Sequence, residues 1–144
     1  MTQDSAGRPP VRWGVLAATA TIARHAVLPA LAESPACRLV AVASASRPKG
    51  GYDTFGAERV LASYEAVVED PEVEAVYVPL PNSLHADWTI RAARAGKHVL
   101  CEKPLATSAV EASAMAEACD EAGVLLMEAY MTPFHPRSGL AAEL

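Results

Sequence analysis

Apolar residues fall along this chain in short unbroken runs, and between the runs they recur at helical spacing. Residues 11–17 (VRWGVLA) form an apolar run of strand length. Residues 21–33 (TIARHAVLPALAE) follow with Ile22, Ala26, Leu28 and Leu31 at near-helical intervals, which predicts strand, turn, helix. Pro29 removes one backbone donor inside that helix, so a kink or a break is expected there. Residues 39–43 (LVAVA) are apolar without alternation, as in a parallel strand covered on both faces. The link at 49–56 (KGGYDTFG) is too short and too glycine-rich for a full crossover helix. Val60 and Leu61 make a short third strand, and Ser63 opens a brief helix that runs to Glu69. Residues 74–80 (EAVYVPL) read as another buried strand. The Pro-Asn-Ser turn after it opens a helix over 84–95, with Leu84, Trp88, Ile90 and Ala92 on one face and Gly96 as its stop. Residues 97–101 make a strand, Thr107 or Ser108 caps an alanine-rich helix ending near Gly123, and residues 124–127 make one more strand.

Alternating strands and helices of this kind wind in a right-handed sense into an α/β fold, a doubly wound parallel sheet with helices on both faces. Ligands of such sheets bind beyond the carboxyl ends of the strands, where the strand order reverses. Function is therefore expected in the loops at 18–22, 44–47, 80–85 and 102–105.

The 144 residues, 51% hydrophobic and 20% charged, suit one soluble domain that needs neither disulfides nor a structural metal. A net charge of -5 gives no footprint for nucleic acid or an anionic membrane surface. No apolar run approaches the ~20 residues of a membrane span, and the first residues lack the order of a secretory signal, so a cytoplasmic protein is expected. Residues 1–10, ending in Pro9 and Pro10, read as a disordered lead. Cys37, Cys101 and Cys119 are widely spaced and contain no Cys-x-x-Cys, so they are expected as reduced, packed thiols with no metal.

A dinucleotide-binding turn carries Gly-x-Gly-x-x-Gly after the first strand, because glycine permits the tight turn and close approach to a pyrophosphate. The equivalent residues here are Ala18, Thr19, Ala20, Thr21, Ile22 and Ala23, with alanine at each glycine position. An ordinary strand-to-helix turn with Thr21 as N-cap fits the same letters. After the second strand stand Ser46 and Arg47 and no acid, which favours NADP over NAD if a dinucleotide binds. A solvated loop arginine is the other reading. Leu80, Pro81, Asn82 and His85 stand at the mouth of the fourth strand, where Asn82 also serves as a helix cap and His85 as a first-turn surface residue. Glu102, Lys103 and Pro104 stand at the mouth of the fifth, and a lysine there can orient a carbonyl or alcohol or transfer its proton.

The stretch VYVPLPNSLH at 76–85, followed by AGKHVLCEKPL at 95–105, resembles the glucose-fructose oxidoreductase / inositol dehydrogenase / MocA family. The RWGVL start and the TIAR turn at 21–24 are similar to its dihydrodiol dehydrogenase and sugar-ketoreductase branch. The resemblance covers nearly all of residues 11–136 and implies an NAD(P)-binding Rossmann domain over 11–130, with 131–144 starting the link to a second α/β substrate domain outside this chain. It implies hydride transfer between nicotinamide and an oxygen-bearing carbon of a sugar, polyol or diol. Lys103 would then orient the reacting oxygen and relay its proton, with His85 a possible partner, and Glu102 would lie beside the nicotinamide ribose. Leu80, Pro81, Asn82 and His85 would line the cofactor, Glu128 would flank the nicotinamide, Thr19 to Ile22 would face the pyrophosphate, and Ser46 and Arg47 the adenosine ribose.

Three departures stand within the chain: the phosphate loop lacks its first glycine and is one residue longer, the link after Arg47 is short, and Thr132 and Pro133 replace the usual aromatic and arginine before Phe134. Two readings follow. The chain is the cofactor-binding half of an oxidoreductase, or it is a catalytically inactive NADP-binding or interaction module. Uncovered apolar residues such as Phe134 and Leu140 predict self-association or a second-domain partner.

Overall fold

Each unbroken apolar run becomes a strand of a single all-parallel sheet, because a strand covered on both faces has no polar side to present. The computed structural model describes residues 7–46 and 51–142. Its strands are β1 (Val11–Val15), β2 (Cys37–Val42), β3 (Arg59–Val60), β4 (Ala75–Val78), β5 (His98–Cys101) and β6 (Leu126–Glu128), in the spatial order β3-β2-β1-β4-β5-β6. The order reverses between β1 and β4, so the crevice beyond their carboxyl ends is the switch point where such folds take ligands.

Two apolar layers cover the sheet. On one face Leu28 and Leu31 of α1 (Leu28–Glu33) meet Val15, Leu39, Val42 and Tyr77. The other face carries Val67 and Val68 of α2 (Tyr64–Val68), Trp88 and Ala92 of α3 (His85–Arg94) and Met115 of α4 (Ala109–Ala122), packed on Val40, Val76, Val78 and Val99. A last short helix, α5 (Pro136–Ala142), follows β6. Gly14 permits the close contact of β1 with this second layer, since a Cβ there would meet Val67 Cγ1 at 2.6 Å and Val73 Cγ1 at 3.0 Å.

The structure departs from the sequence expectations in local detail. At Pro29 the helical segment is interrupted and not uniform: a widened turn, Ala23–Val27, precedes α1, whose second residue is the proline, and the Leu28 N–H bonds to the Ala23 carbonyl. Widening moves aside the carbonyl four residues before the proline, which the ring would otherwise strike. Thr21 is not a side-chain cap, whereas Ser63 accepts from Ala66 N–H and Ser108 from Glu111 N–H. The buried face of α3 keeps Trp88 and Ala92 but takes in His85, Thr89 and Ala93, while Leu84 is 39% exposed. No described helix is long and apolar enough to cross a membrane.

At the amino edge of the sheet, far from the switch point, the Lys97 ammonium is buried and donates to the carbonyls of Asp70 at 2.7 Å and Val73 at 2.8 Å. Burial pushes its pKa below the usual lysine value. Asp70 is in turn paired with Arg59 at 2.7 Å. This network secures the entrance to β4.

Candidate functional site

The turn leaving β1 is built without glycine. Its left-handed residue is Ala17, at φ 44°, one position before the alanine that sequence spacing equates with the first glycine. Ala18 is fully buried, and its N–H donates to the Ala43 carbonyl at 2.9 Å, which ties this turn to the end of β2. Thr19 extends the same tie. Its hydroxyl lies 2.5 Å from that of Ser44 and 2.9 Å from that of Ser46. Three hydroxyls thus cluster between the ends of β1 and β2. The next residue, Arg47, lies outside the described residues.

Beside this cluster the ends of β2 and β3 border a hollow of about 220 Å³ lined by Ser44, Ala45, Ser63, Tyr64 and Trp88 among others. The Tyr64 hydroxyl accepts the Ala45 N–H at 3.2 Å, and its ring meets Trp88 edge-on at 5.3 Å. Ala20, Thr21 and Ile22 complete the turn, with Ala20 N–H bonded to the Ala17 carbonyl at 2.8 Å.

Across the switch point, the ends of β4, β5 and β6 converge on Lys103. Cys101 pairs with Val78 of β4 and Glu128 of β6, so the Glu-Lys-Pro segment leaves the sheet between two neighbours. Tyr77, fully buried on β4, donates its hydroxyl hydrogen to Glu102 Oε1 at 2.7 Å. Burial and then the adjoining Glu102 carboxylate push the Tyr77 pKa well above the usual tyrosine value. Glu102 Oε2 accepts the Lys103 N–H at 3.2 Å, and the following Lys103-Pro104 peptide is cis. Glu128 Oε1 accepts the Leu105 N–H at 2.8 Å. Burial pushes the Cys101 thiol up to about 11, so it stays protonated and inert beneath the loop.

His85 stands differently from expectation. Its ring is buried, with Nε2 2.7 Å from the Leu80 carbonyl and Nδ1 2.9 Å from the Pro104 carbonyl. Both nitrogens face backbone carbonyls and the ring is fully buried, so it does not reach solvent as a proton partner for Lys103, and the surface-residue alternative fails on burial. Leu80 is buried, whereas Pro81, Asn82 and Lys103 are exposed at the mouth. Asn82 makes no side-chain cap for α3.

Sequence reasoning missed Ala17, Ser44, Tyr64 and Tyr77. Tyr77 carried a usable signal, since a tyrosine in the middle of a buried strand needs a partner for its hydroxyl. Ala17 carried none, because alanine announces no left-handed turn.

A family model described as "Oxidoreductase family, NAD-binding Rossmann fold" matches residues 11–130. The chain is 46% identical over 133 residues to D-xylose 1-dehydrogenase (NADP(+)) 2 of Haloferax volcanii, spanning 92% of this chain and 41% of that protein. It is 43% identical over 144 residues to the dTDP-3,4-didehydro-2,6-dideoxy-alpha-D-glucose 3-reductase of Actinomadura kijaniata, spanning 99% of this chain and 43% of the relative. The crystal structure of KijD10, a 3-ketoreductase from Actinomadura kijaniata in complex with NADP and TDP-benzene, superposes with a TM-score of 0.85 at 43% identity, over 93% of this chain and 41% of that one. The chain therefore spans about two-fifths of the length of these relatives. With its strand order, its Glu-Lys-Pro exit from β5 and this match over residues 11–130, the chain belongs to the glucose-fructose oxidoreductase / inositol dehydrogenase / MocA family and carries that family's NAD-binding Rossmann domain.

Proposed function

We propose that the chain supplies the dinucleotide half of an NADP-dependent oxidoreductase acting on an oxygen-bearing carbon of a sugar, polyol or diol. The observation that carries this reading is Lys103, exposed on a peptide held from β4 and β6 beside the switch point. The names of the relatives, a xylose dehydrogenase and a keto-sugar reductase, supply the substrate class.

The residues present fit the dinucleotide. Residues 43–48 contain no carboxylate to claim a ribose 2'-hydroxyl, and the Thr19, Ser44 and Ser46 hydroxyls with Arg47 next in sequence suit a 2'-phosphate. The 17–22 turn would take the pyrophosphate, and the hollow by Tyr64 the adenosine end. The nicotinamide, when bound, donates or accepts the hydride. Lys103 would hold the substrate oxygen by hydrogen bonding and carry its proton, while Glu102, whose carboxylate retains acceptor capacity, would bind a ribose hydroxyl. Asn82 and Pro81 would border the ring, and Glu128 acts on the loop. Three free cysteines suit a reducing compartment such as the cytoplasm. Exposed Tyr130, Met131, Phe134 and Leu140 would be covered by a second domain or a second copy.

Isothermal titration with NADPH and NADH tests the reading. NADPH is expected to bind more tightly, and Arg47→Ala to weaken NADPH alone by about tenfold or more, the worth of one charge-assisted contact. Absence of binding by both dinucleotides would overturn the proposal, and equal loss for both would remove the 2'-phosphate assignment.

A further inference from the structure

We propose that His85 is a positioning residue that holds the Lys103 loop from the turn after β4, with Glu128 as a second anchor from β6. The assignment deepens the proposed function, in which Lys103 faces the reacting carbon, and rests on it.

Three consecutive residues, beginning with the lysine, each have one backbone group engaged by a side chain. The Lys103 N–H goes to Glu102 Oε2 at 3.2 Å, the Pro104 carbonyl lies 2.9 Å from His85 Nδ1, and the Leu105 N–H donates to Glu128 Oε1 at 2.8 Å. The far side of the His85 ring, Nε2, lies 2.7 Å from the Leu80 carbonyl, at the head of the turn that carries Pro81 and Asn82. One imidazole therefore joins the peptide bearing the lysine to the turn bordering it.

A lysine side chain is flexible, so the fold sets its reach only through the peptide from which it springs. Misplacement of a reacting group by about 1 Å can cost on the order of a hundredfold in rate, which makes anchoring of that peptide a catalytic matter. Carbonyl oxygens only accept, so a ring nitrogen binds its carbonyl through an N–H, and a nitrogen engaged in this way offers nothing to a substrate. A fully buried polar ring is also a poor filler of apolar space, where leucine would pack without a desolvation cost. The two carbonyl contacts are what the ring contributes.

The test is residue-resolved amide hydrogen exchange on the full chain, with and without NADPH. The side-chain nitrogen of asparagine overlies Nδ1 of histidine and that of glutamine overlies Nε2, so the two variants keep opposite ends of the connection. H85Q is expected to speed exchange at Lys103 and Leu105 by about three- to tenfold, the effect of one net hydrogen bond, while H85N leaves both near wild type and loosens Leu84 instead. E128A is expected to speed Leu105 by a similar factor and E128Q, which keeps the accepting oxygen, to restore it. Equal effects of H85N and H85Q, or acceleration spread across the whole sheet, would overturn the proposal by making His85 an ordinary core residue. Should both His85 variants fail to fold, the Glu128 pair decides, because slow exchange at Leu105 in E128A would remove the second anchor and the proposal with it. Failure of the wild type to bind NADPH would count against the proposed function alone, since the exchange pattern is read without dinucleotide as well.

Discussion

Replacing Tyr77 by phenylalanine removes a single oxygen from the centre of the sheet and leaves its shape intact. The hydroxyl hydrogen it takes away is donated to Glu102 Oε1 at 2.7 Å, between a tyrosine that is 0% exposed and a glutamate that is 9% exposed. Among the described residues, the other Glu102 oxygen keeps the Lys103 N–H at 3.2 Å. A buried hydrogen bond to a charged group contributes about 1.5–3 kcal/mol, so Y77F should lose that much stability near neutral pH. The alkaline behaviour gives a second signature. Burial and the Glu102 carboxylate raise the folded-state pKa of Tyr77 above its ordinary value of 10.0, so the folded protein keeps a proton that the unfolded chain gives up. The contribution is complete below pH ~10 and declines above it, by up to about 1.4 kcal/mol per pH unit. Urea unfolding of both proteins, at neutral pH and above pH ~10 at fixed ionic strength, reads both effects. The gap should be widest at neutral pH and contract on the alkaline side. Midpoints within ~0.5 kcal/mol at neutral pH, or a gap that widens with pH, would refute the reasoning.

Three further substitutions probe the scaffold. Gly14→Ala drives a Cβ to within 2.6 Å of Val67 Cγ1, and since both valines there are branched and buried, overpacking should cost about 1–3 kcal/mol, read as a lower urea midpoint. Ala17→Gly relieves a left-handed alanine worth about 1–2 kcal/mol and returns part of it as chain entropy, so a net gain of ~0.5–1 kcal/mol is expected, and an unchanged or lower midpoint would contradict it. Lys97→Met leaves the Asp70 and Val73 carbonyls without their donor and should cost about 1.5–3 kcal/mol. Because burial lowers the Lys97 pKa in the fold, the unfolded chain binds that proton more tightly, so wild-type stability gains from this group as pH rises toward the ordinary lysine value. A pH series on K97M should lack that gain.

The sheet was legible because a parallel strand buried on both faces leaves a mark in the letters alone, and residues 39–43 and 74–80 carry it plainly. The positions of candidate residues at strand mouths followed from the same alternation. The contacts those residues make did not. Tyr77 and Glu102 are 25 residues apart, and their pairing depends on β4 and β5 being neighbours in a register that no local pattern specifies. The helical spacing through Leu84, Trp88 and Ala92 puts the leucine inward and leaves His85 either on the surface or at the cofactor, whereas the structure buries it between two carbonyls on separate loops. Ala17 and the widened turn before Pro29 are backbone solutions, and side-chain identity says little about which of several backbone solutions is taken.

The lysine loop draws its order from its neighbours. Strand β5 ends at Cys101, and beyond it three anchors of residues 102–105 come from other elements: Tyr77 from β4, His85 from the start of α3, Glu128 from β6. Each anchor grips the backbone or Glu102, and the Lys103 side chain itself stays exposed. An arrangement of this kind fixes the origin of the ammonium while leaving its direction free. If Lys103 holds the substrate oxygen as proposed above, it can serve substrates that differ in the position of the reacting carbon, provided that another surface holds them. On that proposal substrate choice belongs to groups that Lys103 does not touch, and exchanging those groups should change the substrate accepted while leaving amide exchange in the lysine loop as it is.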